Sequence, residues 1–301
     1  MQVILPDGTP LQLPPGATGR DVAEAIGPGL AKAALGTTVE GRLSDLMTEV
    51  PDGAHVTVVT KRDDAWIELA RHTLAHVMAQ AVREMMVEEG FDPDDVKLAI
   101  GPVIEHGFYY DMDLPRSLAP EDLPAIEERM RRIVEDDLPL QRYALPRDEA
   151  LARYRELGDP YKQELIRDLP EDAPITFYEQ GGAEGFTDLC RGPHLPSTGK
   201  IPPHFRLMSL AGAYWRGDES RPMLQRVYGV AFATKQELET HLWRLEEAKK
   251  RDHRRLGQQL EIFTLDDEVG PGLPLWLPRG AVMVEEIEAL AKEMEAKAGY
   301  K

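Results

Sequence analysis

The stretch DDAWIELARHTLAHVMAQAVREMMVEEG, Asp63 to Gly90, is where the chain changes period. Ile67, Ala70, Leu74, Met78 and Ala81 recur at three- and four-residue intervals, the stripe of a long helix. Residues 1–61 before it read differently. MQVILPDGTPLQLP is an apolar strand, an Asp-Gly turn and an alternating strand, hence a hairpin. TGRDVAEAIGPGL is one short helix with Thr18 as N-cap and Asp21 in its first turn. TTVEGRLSDLMTEVPDGAHVTVVT adds strands at Glu-Gly and Asp-Gly turns, and the whole describes an α+β roll of the β-grasp kind.

After the long helix, VKLAIGPVIEHGFYYDMDLP reads as strands broken at Gly101-Pro102 and His106-Gly107, and APEDLPAIEERMRRIVEDD as a charged amphipathic helix. Short helices, loops and strands follow to about residue 230. TKQELETHLWRLEEAKKRDHRRLGQQL reads as one helix, polar on most faces with Leu238, Leu242 and Leu245 recurring every three or four residues, of the kind that bridges domains. A strand, a Gly-Pro loop and a helix then close the sequence, too little for a domain, so this part is expected to be truncated.

The composition excludes several classes. One cysteine in 301 residues rules out an internal disulfide framework and fits a reducing compartment. The N-terminus has neither the basic region nor the long apolar core of a signal peptide, and no apolar run is long enough to span a membrane. A net charge of -18 argues against a nucleic-acid partner unless local patches decide otherwise. KKRDHRR, Lys249 to Arg255, is the densest basic run and reads equally well as a solvated helix face.

His72 and His76 lie four apart on the long helix, so their rings project from one face about a turn from each other. The single cysteine, in TDLCRGPHLPSTG, repeats that spacing: Cys190 precedes His194 by four residues. Two histidines plus a cysteine and a histidine are the ligand inventory of a zinc site, although a lone cysteine is commonly a small buried hydrophobe. A metalloprotease is excluded because Thr73 stands where the water-activating Glu would follow the first His. No Gly-x-Ser-x-Gly elbow or Walker loop is present.

RHTLAHVMAQAV, KLAIGPVIEHGFYYD, PYKQELI, TDLCRGPHLPSTGKI, AGAYWRGDESRPMLQRVYG and EEAKKRDHRRLGQQLEIF occur in this order. Together they closely resemble the N-terminal half of bacterial threonyl-tRNA synthetases. The resemblance implies a multidomain α+β chain: a ubiquitin-like β-grasp TGS domain over residues 1–61, an α+β editing domain over 62–228, a linker helix over 229–251, and from 252 to 301 a truncated class II catalytic domain. It also implies hydrolysis of seryl-tRNA(Thr) made in error. Serine lacks one methyl of threonine, worth only about 1–3 kcal/mol of selectivity, so a second sieve is needed.

By the same resemblance the catalytic set is His72, His76, Lys162, Asp188, Cys190 and His194, with Gly101, Pro102 and Tyr110 as substrate-binding walls. His72 would activate water, Lys162 would offset oxyanion charge, and Asp188 would orient Lys162 or the substrate amine. His76, Cys190 and His194 would shape the pocket and contact ribose or serine. Related alanyl-type proteins bind zinc through the same four positions. The threonyl type implies no metal there, with ATP and a separate zinc ion belonging to the missing part of the catalytic domain. Expected partners are tRNA(Thr) and seryl-tRNA(Thr) in the cytoplasm, with no membrane and a homodimeric full-length enzyme. The alternatives are a free-standing zinc-dependent deacylase and a non-catalytic tRNA-binding or regulatory TGS module.

Overall fold

In the computed structural model the first hairpin pairs Gln2–Ile4 antiparallel with Pro10–Gln12. All residues are described except 183, 184, 267, 271 and 301. Gly36–Val39 is the centre of a three-stranded antiparallel sheet between Arg42–Ser44 and Val56–Val59, and a parallel bridge from Ile4 to His55 joins the hairpin to it. Thr18 caps Gly19–Ile26 as expected: Asp21 N–H donates to its hydroxyl, and the Asp21 carboxylate accepts from Thr18 N–H at 2.7 Å. The single helix expected here is two. The second, Pro28–Ala33, starts on a proline, which suits the first turn because it has no N–H to leave unpaired. Val3, Val22, Val50, Ala54 and Val56 close this small core.

The long helix Trp66–Glu88 is buried on nearly every side from Leu69 to Met86, so it runs through a core rather than over one. One flank packs on an antiparallel sheet ordered Phe205–Tyr214, Met223–Ala231, Gly107–Asp113, Lys97–Leu98, with Val103–Ile104 also on Gly107–Asp113. The expected breaks at Gly101-Pro102 and His106-Gly107 are present. Leu123–Glu135 lies beside the long helix and buries Ile126, Met130 and Ile133, one stripe of its surface. Leu35 and Val59 share the apolar cluster of Leu69 and Leu74, so the N-terminal part and the long helix are packed together.

A second antiparallel sheet, ordered Phe186–Leu189, Ile175–Gln180, Leu140–Leu145, is backed by Arg147–Glu156 and Pro160–Asp168. Ala150, Tyr154, Ile166, Ile175 and Phe177 form its core. These elements belong to one compact unit, Met1–Leu238.

Residues Glu239–Lys301 form a second unit. The helix expected from Thr234 to Leu260 is two helices, Lys235–Lys250 and His253–Gln259. Asp252 separates them because its carboxylate accepts from Arg254 N–H at 2.9 Å and caps the second. The basic run is largely matched by its neighbours: Lys249 pairs with Glu246, Lys250 and Arg251 with Glu247, and Arg254 with Asp252. A hairpin of Phe263–Leu265 with Pro274–Trp276 and the helix Pro278–Lys297 complete the unit. Ile287, Leu290 and Met294 of that helix are exposed by 64%, 57% and 62%. Among the described residues no helix is long and apolar enough to cross a membrane.

Gly107 is a position the central sheet cannot vary, since a Cβ there would lie 1.9 Å from the Gly229 carbonyl oxygen. Gly107→Ala should therefore lower stability by about 1–3 kcal/mol. Gly29→Ala, in open space on Pro28–Ala33, should be neutral or slightly stabilising. Urea unfolding of the two variants against the parent chain checks the contrast.

Candidate active site

The long helix presents His72 and His76 to the loop that leaves the strand Phe186–Leu189 and carries Cys190 and His194. The structure brings one donor atom from each of the four to within 4.8 Å of the others. Cys190 Sγ lies 3.3 Å from His72 Nε2 and 3.4 Å from His194 Nε2. The His72 and His194 rings stack with centroids 4.1 Å apart. Gly192 makes the tight loop possible: its φ is +76°, and a Cβ would sit 2.0 Å from the Tyr178 hydroxyl.

The surrounding hydrogen bonds fix the ring tautomers. Pro193 offers His72 Nδ1 only a carbonyl at 3.0 Å, so Nδ1 carries the proton and Nε2 keeps a lone pair. Thr73 spends its hydroxyl proton on the Leu69 carbonyl at 2.8 Å. It can therefore only accept from His194 Nδ1–H, 3.3 Å away, and from Leu195 N–H at 3.0 Å. Both rings thus aim Nε2 lone pairs at one thiol. Burial holds all three histidines below the ordinary imidazole value, His76 to about 3, so they are neutral near pH 7. Burial pushes the Cys190 thiol up to about 12, which makes it a hydrogen-bond donor and not a nucleophile.

Asp188 is the second centre. One carboxylate oxygen meets Lys162 Nζ at 2.6 Å. The other accepts from the Tyr110 hydroxyl and lies 3.6 Å from His76 Nε2. Lys162 also donates to the Tyr110 oxygen at 3.3 Å and, weakly, to the Leu189 carbonyl at 3.5 Å. Lys162 is set by its helix start, where the Asp159 carboxylate accepts from its backbone N–H at 3.0 Å. Both members of the ion pair are almost fully buried.

A cavity of about 420 Å³ opens onto both centres. His72, His76, Lys162, Asp188 and Cys190 line it, as do Gly101, Pro102 and Tyr110. Gly101 is needed there because a Cβ would fall 2.4 Å from the Tyr110 ring. His194, expected to contact substrate, is instead 1% exposed and off the cavity wall, behind Cys190 and His72. The sequence reading missed the apolar wall of Ile100, Leu165, Leu169 and Pro174. Leu165 and Leu169 lie three and seven residues beyond Lys162, a helical face that spacing could have revealed. It also missed Thr73, Tyr178 and Asp45, which support the loop from behind.

The four donor types are those of a zinc site, with donor atoms up to 4.8 Å apart that would have to close in around an ion. Bond lengths of about 2.3 Å to sulfur and about 2.0 Å to nitrogen place tetrahedral ligands roughly 3.3–3.6 Å apart, and the two Cys190 contacts at 3.3 and 3.4 Å match. His76 Nδ1 is buried with no hydrogen-bond partner among the described residues, as an unused ligand atom would be.

Residues 1–60 match the TGS domain, and residues 175–228 match the threonyl and alanyl tRNA synthetase second additional domain. The chain therefore carries stretches similar to these two domains. It is 60% identical over 301 residues to the threonine--tRNA ligase of Thermus thermophilus. The figures are 56% over 302 residues for that of Deinococcus radiodurans and 52% over 300 residues for that of Halalkalibacterium halodurans. The matches cover 100% of this chain but 46%, 46% and 45% of those relatives, so the chain spans about half their length. The threonyl-tRNA synthetase resemblance read from the motifs thus holds along the whole chain.

Neutral buried histidines link stability to pH. The unfolded chain protonates His76 below about 6.5, whereas the folded chain does so only near 3. Between those values the unfolded state binds the extra proton, so stability falls as pH falls, by about 1.4 kcal/mol per unit for a single such group. Denaturation of metal-stripped protein from pH 7 to 4 should show at least this slope, and His76→Gln should reduce it while His72 and His194 keep the rest.

Proposed function

We propose that the chain hydrolyses the ester of seryl-tRNA(Thr) in this cavity, the editing step that supports accurate threonyl-tRNA synthesis. The observation that carries the reading is a neutral His72 facing the same cavity as a buried Lys162–Asp188 pair. That combination supplies a base for water and a fixed positive group for the oxyanion.

Cys190 has one S–H proton and two imidazole acceptors. When it donates to His194, His72 Nε2 is free. Water gives a proton to that nitrogen while its oxygen bonds to the ester carbonyl carbon. Lys162 releases its weak contact with the Leu189 carbonyl and turns an N–H to the developing oxyanion, with Asp188 holding it in place. The tetrahedral intermediate then expels the ribose oxygen, which takes the proton back from His72. Serine and a free tRNA end leave. Threonine is rejected because its extra methyl overpacks the site, costing about 1–3 kcal/mol.

The four converging donors favour one second reading, a zinc-dependent site. Zinc would be held by His72, His76, Cys190 and His194 and, with all four bound, would supply a closed site that clamps loop to helix. The wider assignments also belong to this proposal. Residues 1–61 serve as the TGS domain, 62–228 as the editing domain, 229–251 as a linker and 252–301 as part of a class II catalytic domain. The uncovered apolar stripe at Ile287, Leu290 and Met294 supports the last. The longer protein, ATP-dependent and homodimeric, would charge tRNA(Thr) in the cytoplasm.

Single-turnover deacylation of seryl-tRNA(Thr) tests the reading. His72→Ala should lose about 10²–10⁴-fold with tRNA binding retained, and Lys162→Ala should also lose rate. Cys190→Ala should be milder, and a chelator should leave the wild type unchanged. Because burial holds His72 below the ordinary imidazole value, the acid limb of the wild-type rate should have its midpoint below pH 6.5. Full activity in His72→Ala contradicts the mechanism, and loss with chelator transfers the site to zinc.

A further inference from the structure

The loop that carries Cys190 and His194 is held from behind by a residue of another domain. Asp45 follows the strand Arg42–Ser44 of the β-grasp part and is 9% exposed. Its Oδ1 accepts from His194 N–H at 2.6 Å, across 149 residues of chain. Its Oδ2 accepts from the Tyr178 hydroxyl at 2.5 Å. The Tyr178 ring in turn packs on the His194 ring at 4.4 Å. A Cβ at Gly192 would sit 2.0 Å from the Tyr178 hydroxyl and 3.1 Å from Asp45 Oδ2, so loop, tyrosine and carboxylate are fitted without slack.

Asp45 is itself anchored. Its neighbour Leu46 is buried with Ala23 and Ala34 in the β-grasp part. The same part is packed to the long helix through Leu35, Val59 and Leu69. The helix supplies His72 and the β-grasp part supplies the acceptor for the loop, so the relative position of the two ligand pairs depends on both.

We propose that Asp45 is a positioning residue of the hydrolytic site, through which the N-terminal β-grasp domain sets the Cys190–His194 loop against His72. This rests on the reading of the cavity as a seryl ester hydrolase. Asp45 is not on the cavity wall and touches no reacting atom. Its two oxygens satisfy a buried N–H and a buried O–H that would otherwise lack acceptors. Loss of such a supporting partner costs on the order of 10- to 100-fold in activity. The β-grasp domain is thereby part of the site, and its removal would unfasten the loop.

The test uses the full chain with Asp45→Ala, Asp45→Asn and Tyr178→Phe. Single-turnover deacylation of seryl-tRNA(Thr), with the maximal rate separated from the half-saturating concentration, is read beside hydrogen exchange of the His194 amide and thermal unfolding. Asp45→Ala should lose about 10- to 100-fold in maximal rate, with half-saturation unchanged and the His194 amide exchanging faster in a protein that remains folded. Asp45→Asn keeps an acceptor for His194 and should restore most of the rate and the protection. Tyr178→Phe should fall between them. Wild-type rate and protection in Asp45→Ala overturn the proposal. So does a rate loss that only follows global unfolding, or an Asn variant as impaired as Ala. Should the wild type itself leave seryl-tRNA intact, the hydrolase reading fails. Faster His194 exchange in Asp45→Ala would then still uphold the loop-positioning part, and unchanged exchange would overturn it.

Discussion

The Lys162–Asp188 pair is the contact on which this site depends. Two opposite charges out of water cost more in lost hydration than their attraction returns unless the remaining polar atoms are also satisfied. Here they are satisfied by elements that are distant in sequence. Tyr110 comes from the sheet strand Gly107–Asp113, His76 from the long helix, and Lys162 from a helix whose start is set by Asp159. Three elements therefore converge on one carboxylate, which a fourth, the strand Phe186–Leu189, supplies. Removing either charge would strand the other, at about 3–5 kcal/mol, so the pair constrains packing as well as chemistry.

The same burial sets the electrostatics of its neighbours. Imidazoles held neutral and a thiol held protonated cannot repel one another, which lets four donor atoms crowd together. A crowded neutral cluster can take up a metal only by giving up the thiol proton. Base and metal-ligand roles thus compete for the same lone pair on His72 Nε2. The net charge of -18 is a property of the chain as a whole, and the cavity wall, with Lys162 and Arg191 against Asp188, is a local exception to it.

What could be read from the sequence was what is local. The paired spacings of His72 with His76 and of Cys190 with His194 were visible because four residues span one helical turn or a short loop. The Thr18 cap and the strand breaks around Gly101 and His106 were visible for the same reason. The two missed helix breaks had local signals as well, Pro28 and the capping Asp252, which the periodicity of the flanking residues obscured. Asp45 left no trace, because its partners lie 133 and 149 residues away and an aspartate after a short strand reads as a turn. Lys162 looked like any helix lysine, and only its burial against Asp188 sets it apart. The place of His194 behind the wall depends on Thr73 and Tyr178, which no spacing links to it.

The central claim is that the cavity between His72 and Lys162 receives a seryl ester, and a stable analogue tests it most directly. A crystal structure with 3′-seryl-amino-adenosine, in which an amide replaces the labile ester, would locate the acyl group. The account predicts the carbonyl carbon within reach of a water on His72 Nε2, the carbonyl oxygen towards Lys162, and much weaker binding of the threonyl analogue. An analogue seated away from His72 and Lys162, or threonyl binding equal to seryl, would contradict it.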